Sequence, residues 1–189
     1  MASVKGYMKM EPSDAHLVEV ALRGDAGAFA ALVTRHYDSI FRISYRVLGT
    51  RDAAEDLAQD VCAALPAKLK SYRREARFTT WLYRVIVNAG RDRMRRQASH
   101  ARAADGWGDV EVMRRAEASE AAESAAWLEA AMAQLGDELR ETVALVLGEE
   151  MTHGAAAEVL EVSEGTISWR MSEVRKRLRA MAKEERMHG

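Results

Sequence analysis

The sequence predicts an all-α protein in which two small helical domains are joined by an acidic linker. Abundant alanine, leucine, glutamate and arginine, with only 2 prolines and 12 glycines among 189 residues, favour helix nearly throughout. Few alternating β-branched runs occur, so we expect no sheet. The apolar fraction of 48% suffices for real cores, whereas residues 99–124 become rich in alanine, glycine and acids. We therefore expect domains at residues 13–98 and 125–183, separated by a linker at 99–124.

The formal net charge of −1 conceals a segregation of charge along the chain. Residues 1–97 carry 17 basic and 11 acidic side chains, residues 98–150 carry 4 and 12, and residues 151–189 carry 7 and 6. Local charge is therefore more informative about partners than the overall balance. No apolar run reaches transmembrane length, and residues 1–12 lack the apolar core of a signal peptide. We expect a cytoplasmic protein without membrane insertion.

The residues predict neither an enzyme nor a metal or cofactor site. The lone Cys62 excludes an internal disulfide and a cysteine-rich zinc site, and we expect it to be a small buried residue. The five histidines show no metal-ligand spacing. No glycine-rich phosphate loop or nucleophile motif occurs either.

Three predicted helices precede residue 70. Each begins at a side chain that can cap it, at Ser13 or Asp14, at Asp25, and at Thr50 or Asp52. Gly49 closes the second helix. Pro66 removes a backbone donor inside the third, so we expect a kink or break near Leu65. Residues 68–77 follow as a basic loop that carries an aromatic side chain.

Residues 78–97 form the predicted helix around which the chain is organised. One face is apolar and will be buried, because its residues recur at helical spacing: Phe78, Leu82, Val85, Ile86, Ala89 and Met94. Another face carries Arg84, Asn88, Arg91 and Arg95 at i, i+4, i+7 and i+11, and we call these four residues the cationic stripe. The stripe indicates contact with an anionic partner, although a solvated helix end explains it equally well.

The linker contains Trp107, Val110, Val112 and Met113, which either dock on a neighbouring surface or form a short helix. After two further helices, residues 152–178 predict a helix-turn-helix, with Thr152 and Ser163 as helix caps and a turn at 161–162. We expect these residues on the exposed face of its second helix: Thr166, Ser168, Trp169, Arg170, Ser172, Glu173, Lys176 and Arg177. Arginine can read guanine and the other cations suit phosphates, so the motif favours DNA over a packing module without DNA.

Four motifs, in this order, resemble a known family. They are DLAQDV at 56–61, FTTWLYR at 78–84, Asn88 with Asp92, and SEGTISWR at 163–170 followed by RKRL at 175–178. Together they resemble bacterial RNA polymerase sigma factors of the extracytoplasmic function (ECF) class of the sigma-70 family. The resemblance covers the chain from about Ser13 to Ala182, in the order region 2, linker and region 4.

The resemblance implies the function and a role for each stretch. It implies a sigma factor that binds core RNA polymerase and directs promoter recognition and opening. Asp56, Gln59 and Asp60 then match the surface that binds the β′ coiled coil of the polymerase. The apolar helices before the helix-turn-helix match the site for the β flap, and the second helix matches the reader of the −35 element. A partner that holds the protein inactive, an anti-sigma factor, is also implied.

The family's −10 element is bound by the part that matches residues 68–97. A flipped base needs a pocket and a single strand needs cations. The candidates are Tyr72, Arg73, Arg77 and Thr79 for the pocket, with Asn88, Arg91 and Arg95 on the DNA-facing stripe. Trp81 and Tyr83 either stack on DNA or belong to the core.

The chain departs from the family at several positions. Cys62 replaces an aromatic residue, residues 154–156 replace polar ones, and Glu161 stands at a turn position that often holds glycine, so we expect either strain or a different turn shape there. Trp169, Ser172 and Glu173 make the recognition face less basic than usual. A one-component regulator with a C-terminal helix-turn-helix is the alternative, although residues 13–97 show a second basic surface in place of an obvious ligand pocket.

Overall fold

The computed structural model describes residues 11–103 and 120–188 of the chain. Within these two ranges the regular elements are α-helices, as the sequence predicts. In chain order they are α1 Asp14–Leu22, α2 Ala26–Leu48, α3 Arg51–Leu69, α4 Phe78–Ala103, α5 Glu120–Gln134, α6 Asp137–Val146, α7 His153–Leu160 and α8 Glu164–His188. None of these helices combines the length and apolar character that a membrane span requires.

Helix boundaries follow the predicted caps closely. The side-chain oxygens of Ser13, Asp25, Thr152 and Ser163 accept hydrogen bonds from the amides of His16, Ala28, Ala155 and Thr166, at 3.3, 2.7, 3.2 and 3.1 Å. Thr50 precedes α3 without a side-chain cap bond. Gly49 ends α2 in the left-handed conformation at φ 83°, which costs glycine little because it has no Cβ. Local chemistry therefore sets where most of these helices begin.

Of the kink or break predicted near Leu65, the break is wrong, and the kink stays a prediction. Helix α3 runs through Pro66 to Leu69. The helix is held by its apolar face, since Ala54, Leu57, Val61 and Leu65 are buried against the rest of the core. This burial offsets the lost backbone hydrogen bond and the crowding of the proline ring.

Helix α2 lies at the centre of the molecule and packs against α1, α3, α4 and α6. Gly90 marks the close crossing of α4 over α2, because a Cβ atom added there would lie 3.0 Å from Cγ1 of Val47. The largest apolar cluster contains Ile40, Leu82 and Ile86 from the first half of the chain, and Leu145 and Ile167 from the second. The two predicted domains therefore pack directly on each other.

Helix covers both ends of the predicted linker. α4 continues through residues 99–103, and α5 begins at Glu120. Residues 104–119, with Trp107, Val110, Val112 and Met113, lie outside the described residues. The domain boundaries themselves stay a prediction.

Candidate nucleic-acid interface

The cationic stripe of α4 faces the C-terminal half of the chain. Asn88 and Arg95 are exposed, whereas Arg84 and Arg91 are partly covered. Arg95 pairs with Asp92 one turn earlier on the same helix. Arg84 instead contacts α7 and the residue at its end, and Arg91 contacts α6. These partners lie more than 45 residues away in sequence. The stripe is thus divided into an open part and a part already bound by protein.

Arg91 makes the strongest of these contacts. Its Nε and Nη2 atoms donate hydrogen bonds to the two carboxylate oxygens of Glu141, at 2.7 and 2.6 Å. Glu141 belongs to α6 and its side chain is only 2% exposed. The hydrogen bonds to Glu141 raise the pKa of Arg91 above its ordinary value, so the guanidinium stays charged. Two parallel bonds of this kind fix the geometry as well as the charge pairing.

Arg84 binds the first helix of the helix-turn-helix. Its Nη2 donates to the backbone carbonyl of Glu158 at 2.5 Å, and its Nη1 lies 3.4 Å from the carboxylate of Glu161. Glu161 adopts φ 58°, the left-handed region that a non-glycine residue enters at a cost. The strain expected at this turn is confirmed.

A second buried carboxylate, Glu149, joins the two halves. It follows α6, its side chain is 3% exposed, and it accepts hydrogen bonds from Arg42 at 3.0 Å and Arg46 at 3.2 Å, both on α2. The hydroxyl of Tyr83 donates to the same carboxylate at 3.3 Å. Tyr83 is itself buried, and burial raises the pKa of its phenol. Tyr83 is therefore a core residue whose polar end faces this cluster.

The loop between α3 and α4 presents the other predicted −10 residues. Arg73 and Arg77 are exposed and Thr79 is half-buried. The ring centroid of Tyr72 lies 5.8 Å from that of Phe78 and 5.2 Å from that of Trp81. The hydroxyl of Tyr72 donates a hydrogen bond to the carbonyl of Ala76 at 2.7 Å. Tyr72 and Trp81 thus form an aromatic base for the loop, and the two arginines of the loop are exposed to solvent.

The predicted polymerase surface lies on α3. Asp56, Gln59 and Asp60 are all exposed. Arg93 of α4 lies 2.9 Å from Asp56 and 3.8 Å from Asp60, so it holds the two carboxylates on one side of the helix. Asp60 also lines a groove of about 800 Å³ between α3 and α4, together with Asn88 and Trp81. One residue of the predicted polymerase surface, Asp60, therefore lines the same groove as Arg84 and Asn88 of the stripe.

The recognition helix α8 confirms most of the predicted exposed face. Ser168, Ser172, Lys176 and Arg177 are exposed and Trp169 is 63% exposed, while Thr166 and Glu173 are half-buried. Glu173 accepts from Arg177 at 3.0 Å and lies 3.9 Å from Lys176. The hydrogen bond from Arg177 lowers the pKa of Glu173, so this carboxylate stays ionised and orients the two cations.

Arg170 is the exception, and its placement on the exposed face is wrong. Its side chain is 7% exposed and lies 2.7 Å from Glu138 of α6. Arg170 faces α6 because its neighbours on the same side of α8, Ile167, Met171 and Val174, form the buried face of that helix. In this structure Arg170 supports the helix-turn-helix from inside.

Sequence reasoning missed the residues that join the two halves. Arg42, Arg46, Glu141 and Glu149 carry no motif, and their pairs span 50 to 107 residues. The local signal in the sequence is the i, i+4 spacing of two arginines on α2, but arginines that face solvent have the same spacing, so it does not identify an interface.

Among the described residues, no group of three His, Cys, Asp or Glu side chains is arranged to hold a metal ion. Cys62 is half-buried, and burial raises the pKa of its thiol.

Comparison with known proteins agrees with this arrangement. The family model Sigma-70 region 2 matches residues 32–100, and Sigma-70, region 4 matches residues 131–180. The ECF RNA polymerase sigma factor SigM of Mycobacterium tuberculosis (strain ATCC 25618 / H37Rv) is 32% identical over 168 residues, which is 89% of this chain and 84% of the relative. SigW of Bacillus subtilis (strain 168) is 37% identical over 75 residues, 40% of each chain.

Two solved structures share the fold. CnrH, in complex with the cytosolic domain of CnrY, superposes with a TM-score of 0.69 at 24% identity, covering 90% of this chain and 97% of that one. The sigma factor RpoE of Bartonella quintana, in complex with the anti-sigma factor NepR, gives a TM-score of 0.71 at 23% identity, covering 82% and 96%.

A two-domain helical protein with a sigma-70 region 2, a sigma-70 region 4 and a helix-turn-helix belongs to the class of factors that direct transcription initiation. Within that class, the chain belongs to the ECF RNA polymerase sigma factors of the sigma-70 family. It acts as a sigma factor in transcription initiation, with RNA polymerase and promoter DNA as its partners.

Proposed function

We propose how the described surfaces divide the work of a sigma factor. The loop at residues 70–77 and the cationic stripe of α4 hold the single-stranded −10 element, the acidic face of α3 binds the β′ coiled coil, and α8 reads the −35 element. One observation carries this assignment. The exposed candidates lie on three parts of the chain, namely the 70–77 loop with α4, the helix α3, and the helix α8, and all but the covered part of the stripe are accessible to a partner.

The −10 role is supported by the chemistry of the loop. Exposed Arg73 and Arg77 offer two cations to a strand backbone, and the rings of Tyr72 and Trp81 pack on each other in the same loop and the first turn of α4. Single strands are bound by this combination, because cations track the phosphates while bases stack on aromatic faces. Thr79, Asn88, Arg91 and Arg95 extend the surface along α4.

The polymerase-binding role is supported by exposure. Asp56, Gln59 and Asp60 lie on the solvent side of α3, and Arg93 of α4 pairs with the two aspartates. The exposed Leu128 of α5 and Leu147 after α6 offer apolar contacts for the β flap. Isolated exposed apolar side chains are common, so Leu128 and Leu147 gain meaning only from their place before the helix-turn-helix.

The −35 role now rests on fewer residues. Ser168, Trp169, Ser172, Lys176 and Arg177 face solvent on α8 and can contact base edges or phosphates. Thr166 precedes this set and bonds to Ser163, and Glu173 within it accepts a hydrogen bond from Arg177. The buried Arg170 positions the helix and does not read a base.

An anti-sigma factor is the remaining proposed partner. The two solved structures compared above are complexes with another protein, and in one of them that protein is an anti-sigma factor. We also propose that the protein works in the cytoplasm, where its polymerase partner transcribes the chromosome, and that it carries no catalytic activity of its own.

Mobility-shift titrations of one promoter duplex, with and without core polymerase, test the assignment. We expect weak, unspecific binding by the protein alone and specific binding with core enzyme, because two small DNA surfaces gain avidity only when a scaffold fixes their spacing. Tight, specific duplex binding by the protein alone would instead identify a one-component regulator.

A further inference from the structure

Helix α1 precedes the segment that matches Sigma-70 region 2, and none of the roles proposed above involves it. It is nevertheless part of the fold, because Leu17 and Val18 are buried in the main core. Its first residue, Asp14, accepts hydrogen bonds from two neighbouring residues of α2, from Arg35 at 2.7 Å and from His36 at 3.0 Å. Asp14 therefore ties α1 to one site on α2.

His36 is a buried polar residue whose side chain is 10% exposed. A buried imidazole needs a hydrogen-bond partner, and the carboxylate of Asp14 accepts from its Nε2 atom. The ring also makes an aromatic contact. Its centroid lies 5.3 Å from that of Phe78, the first residue of α4, with 55° between the two ring planes. His36 thus connects α1 with the start of α4.

Phe78 in turn packs on the aromatic base of the 70–77 loop. Its ring centroid lies 5.8 Å from that of Tyr72 and 5.7 Å from that of Trp81, and Phe78 is itself buried. Rings that pack at such distances restrict one another, because a close-packed interior leaves little room for rotation. The aromatic base is therefore held from behind by a contact that begins at Asp14.

The shape of the 70–77 loop depends on Tyr72. Arg74 adopts φ 60°, in the left-handed region that a non-glycine residue enters at a cost. The hydroxyl of Tyr72 donates a hydrogen bond to the carbonyl of Ala76 at 2.7 Å, so this bond spans the strained residue. Burial raises the pKa of the Tyr72 phenol, so the hydroxyl keeps the proton that it donates. The place of the Tyr72 ring therefore sets the shape of the turn.

We propose that Asp14 and His36 are positioning residues for promoter opening. Asp14 orients the imidazole of His36, and this ring holds the aromatic base of the loop in place through Phe78. Neither residue contacts the strand. A pocket needs its side chains held within about 0.5 Å of the productive geometry, and packing and hydrogen bonds behind those side chains supply that precision. The inference rests on the proposed −10 role of the 70–77 loop.

Three variants of the full-length protein separate the parts of this arrangement. His36→Gln can keep a nitrogen donor for Asp14 but removes the ring from Phe78. His36→Phe keeps a ring at this position and gives up the hydrogen bond. Asp14→Ala leaves the imidazole without its partner, so the buried ring is no longer oriented.

Ile43→Val is the control for a general loss of core packing. Ile43 is fully buried on α2, about two turns further along the helix than His36. Helices α2 and α4 run in the same direction, because His36 lies beside Phe78 and Val47 lies beside Gly90. Ile43 therefore packs away from the 70–77 loop. Urea unfolding verifies that every variant is folded under the assay conditions.

The first measurement is base discrimination by the holoenzyme reconstituted with core polymerase. Anisotropy gives its affinity for a labelled single-stranded −10 oligonucleotide and for the same strand with an abasic site at the captured base. The wild type should bind the normal strand about tenfold more tightly, because it stacks the base on aromatic side chains. This ratio should fall to about threefold in His36→Gln and Asp14→Ala, as for a pocket that is formed about a third of the time. It should stay near the wild-type ratio in His36→Phe and Ile43→Val.

The second measurement follows the loop without DNA, by hydrogen–deuterium exchange of the free protein. The amides of Ser71 and Tyr72 are hydrogen-bonded to backbone carbonyls. Peptides that cover residues 70–81 should therefore exchange faster in His36→Gln than in Ile43→Val, because only the first variant removes support from the loop.

A wild-type affinity ratio in His36→Gln or Asp14→Ala would overturn the inference, as would unchanged exchange of the loop in His36→Gln. A loss of discrimination in His36→Phe or Ile43→Val as large as that in His36→Gln would also overturn it, because the ring contact would then have no effect of its own. Failure of the proposed function has a different signature. In that case even the wild-type holoenzyme binds the two strands equally, while exchange of the loop still rises in His36→Gln.

Discussion

The guanidinium of Arg170 lies 2.7 Å from the carboxylate of Glu138, so α6 holds the recognition helix from its inner side. Arg170 is buried, whereas Glu138 is largely exposed. A cation with a buried stem and one exposed partner stabilises mainly through the packing of that stem. The contact explains why an arginine in the middle of α8 does not face DNA.

Arg170→Ala should therefore act on stability. We expect the free energy of unfolding to fall by about 1–3 kcal/mol, because the substitution removes a buried side chain and its ion pair. Urea unfolding followed by circular dichroism measures this change. Lys176→Ala, at an exposed position on the same helix, is the control and should leave stability unchanged while weakening −35 binding. If Arg170→Ala instead has normal stability and a relaxed preference at a single −35 base pair, Arg170 belongs to the DNA-reading face.

Arg73→Ala combined with Arg77→Ala should impair promoter opening without weakening polymerase binding. Both side chains are exposed beside the aromatic base of the loop, so their loss removes cations from the strand without disturbing the core. Losing two phosphate contacts should also lower the slope of log affinity against log salt by about 1.4, as for single strands. Permanganate footprinting of the open complex and a core-binding titration measure the two effects separately. Equal losses in both assays would contradict the assignment.

Gln59→Ala and Asp60→Ala should weaken core polymerase binding while leaving the fold intact. Both residues are exposed on α3, and surface substitutions of this kind usually change stability by less than about 0.5 kcal/mol. Competition with a labelled sigma factor for core enzyme measures the affinity. Asp52→Ala, exposed in the first turn of the same helix, is a suitable control. Binding at wild-type strength by both variants would remove this face of α3 from the interface.

Gly90→Ala should destabilise the protein, although alanine is the better helix former. The added Cβ would lie 3.0 Å from Cγ1 of Val47, so α4 and α2 would have to move apart. Overpacking of this kind lowers the free energy of unfolding by about 1–3 kcal/mol, which exceeds the gain of about 1 kcal/mol from the better helix propensity of alanine. Gly165→Ala in α8, where the nearest atom is 3.7 Å away, is the control and should be stabilising. Denaturant unfolding decides the sign, and Val47→Ala should rescue Gly90→Ala in part.

Acid should weaken the attachment of α1 to α2 through Asp14. Burial raises the pKa of this carboxyl, but hydrogen bonds donated by Arg35 at 2.7 Å and by His36 at 3.0 Å outweigh burial and hold it below the ordinary value of 3.8. The folded state thus favours the ionised form. The stability that Asp14 contributes is fully present above its pKa in the unfolded state, and it is lost as the pH falls through its lower pKa in the folded state. Asp14→Asn should be less stable than wild type near neutral pH, and the difference should vanish in strong acid. A difference that persists there would assign the effect to packing.

Local elements were predictable because their causes lie within a few residues of one another. The caps at Ser13, Asp25, Thr152 and Ser163 and the left-handed end at Gly49 depend on neighbouring groups in the chain. Pro66 shows the limit of such reasoning. The local rule predicts a break, but the buried face of α3 outweighs it.

The sequence by itself determined the fold class, the order of the helices, the helix-turn-helix and the family. Tertiary structure alone decided which charged residues face solvent and which face protein. Arg170, Arg91 and Arg95 look alike along the chain, yet one is buried against Glu138, one is paired with Glu141, and one is open. The physical reason is distance along the chain. Helical periodicity assigns a residue to a face, but the partner of that face comes from another helix, 50 residues away for Arg91 and Glu141.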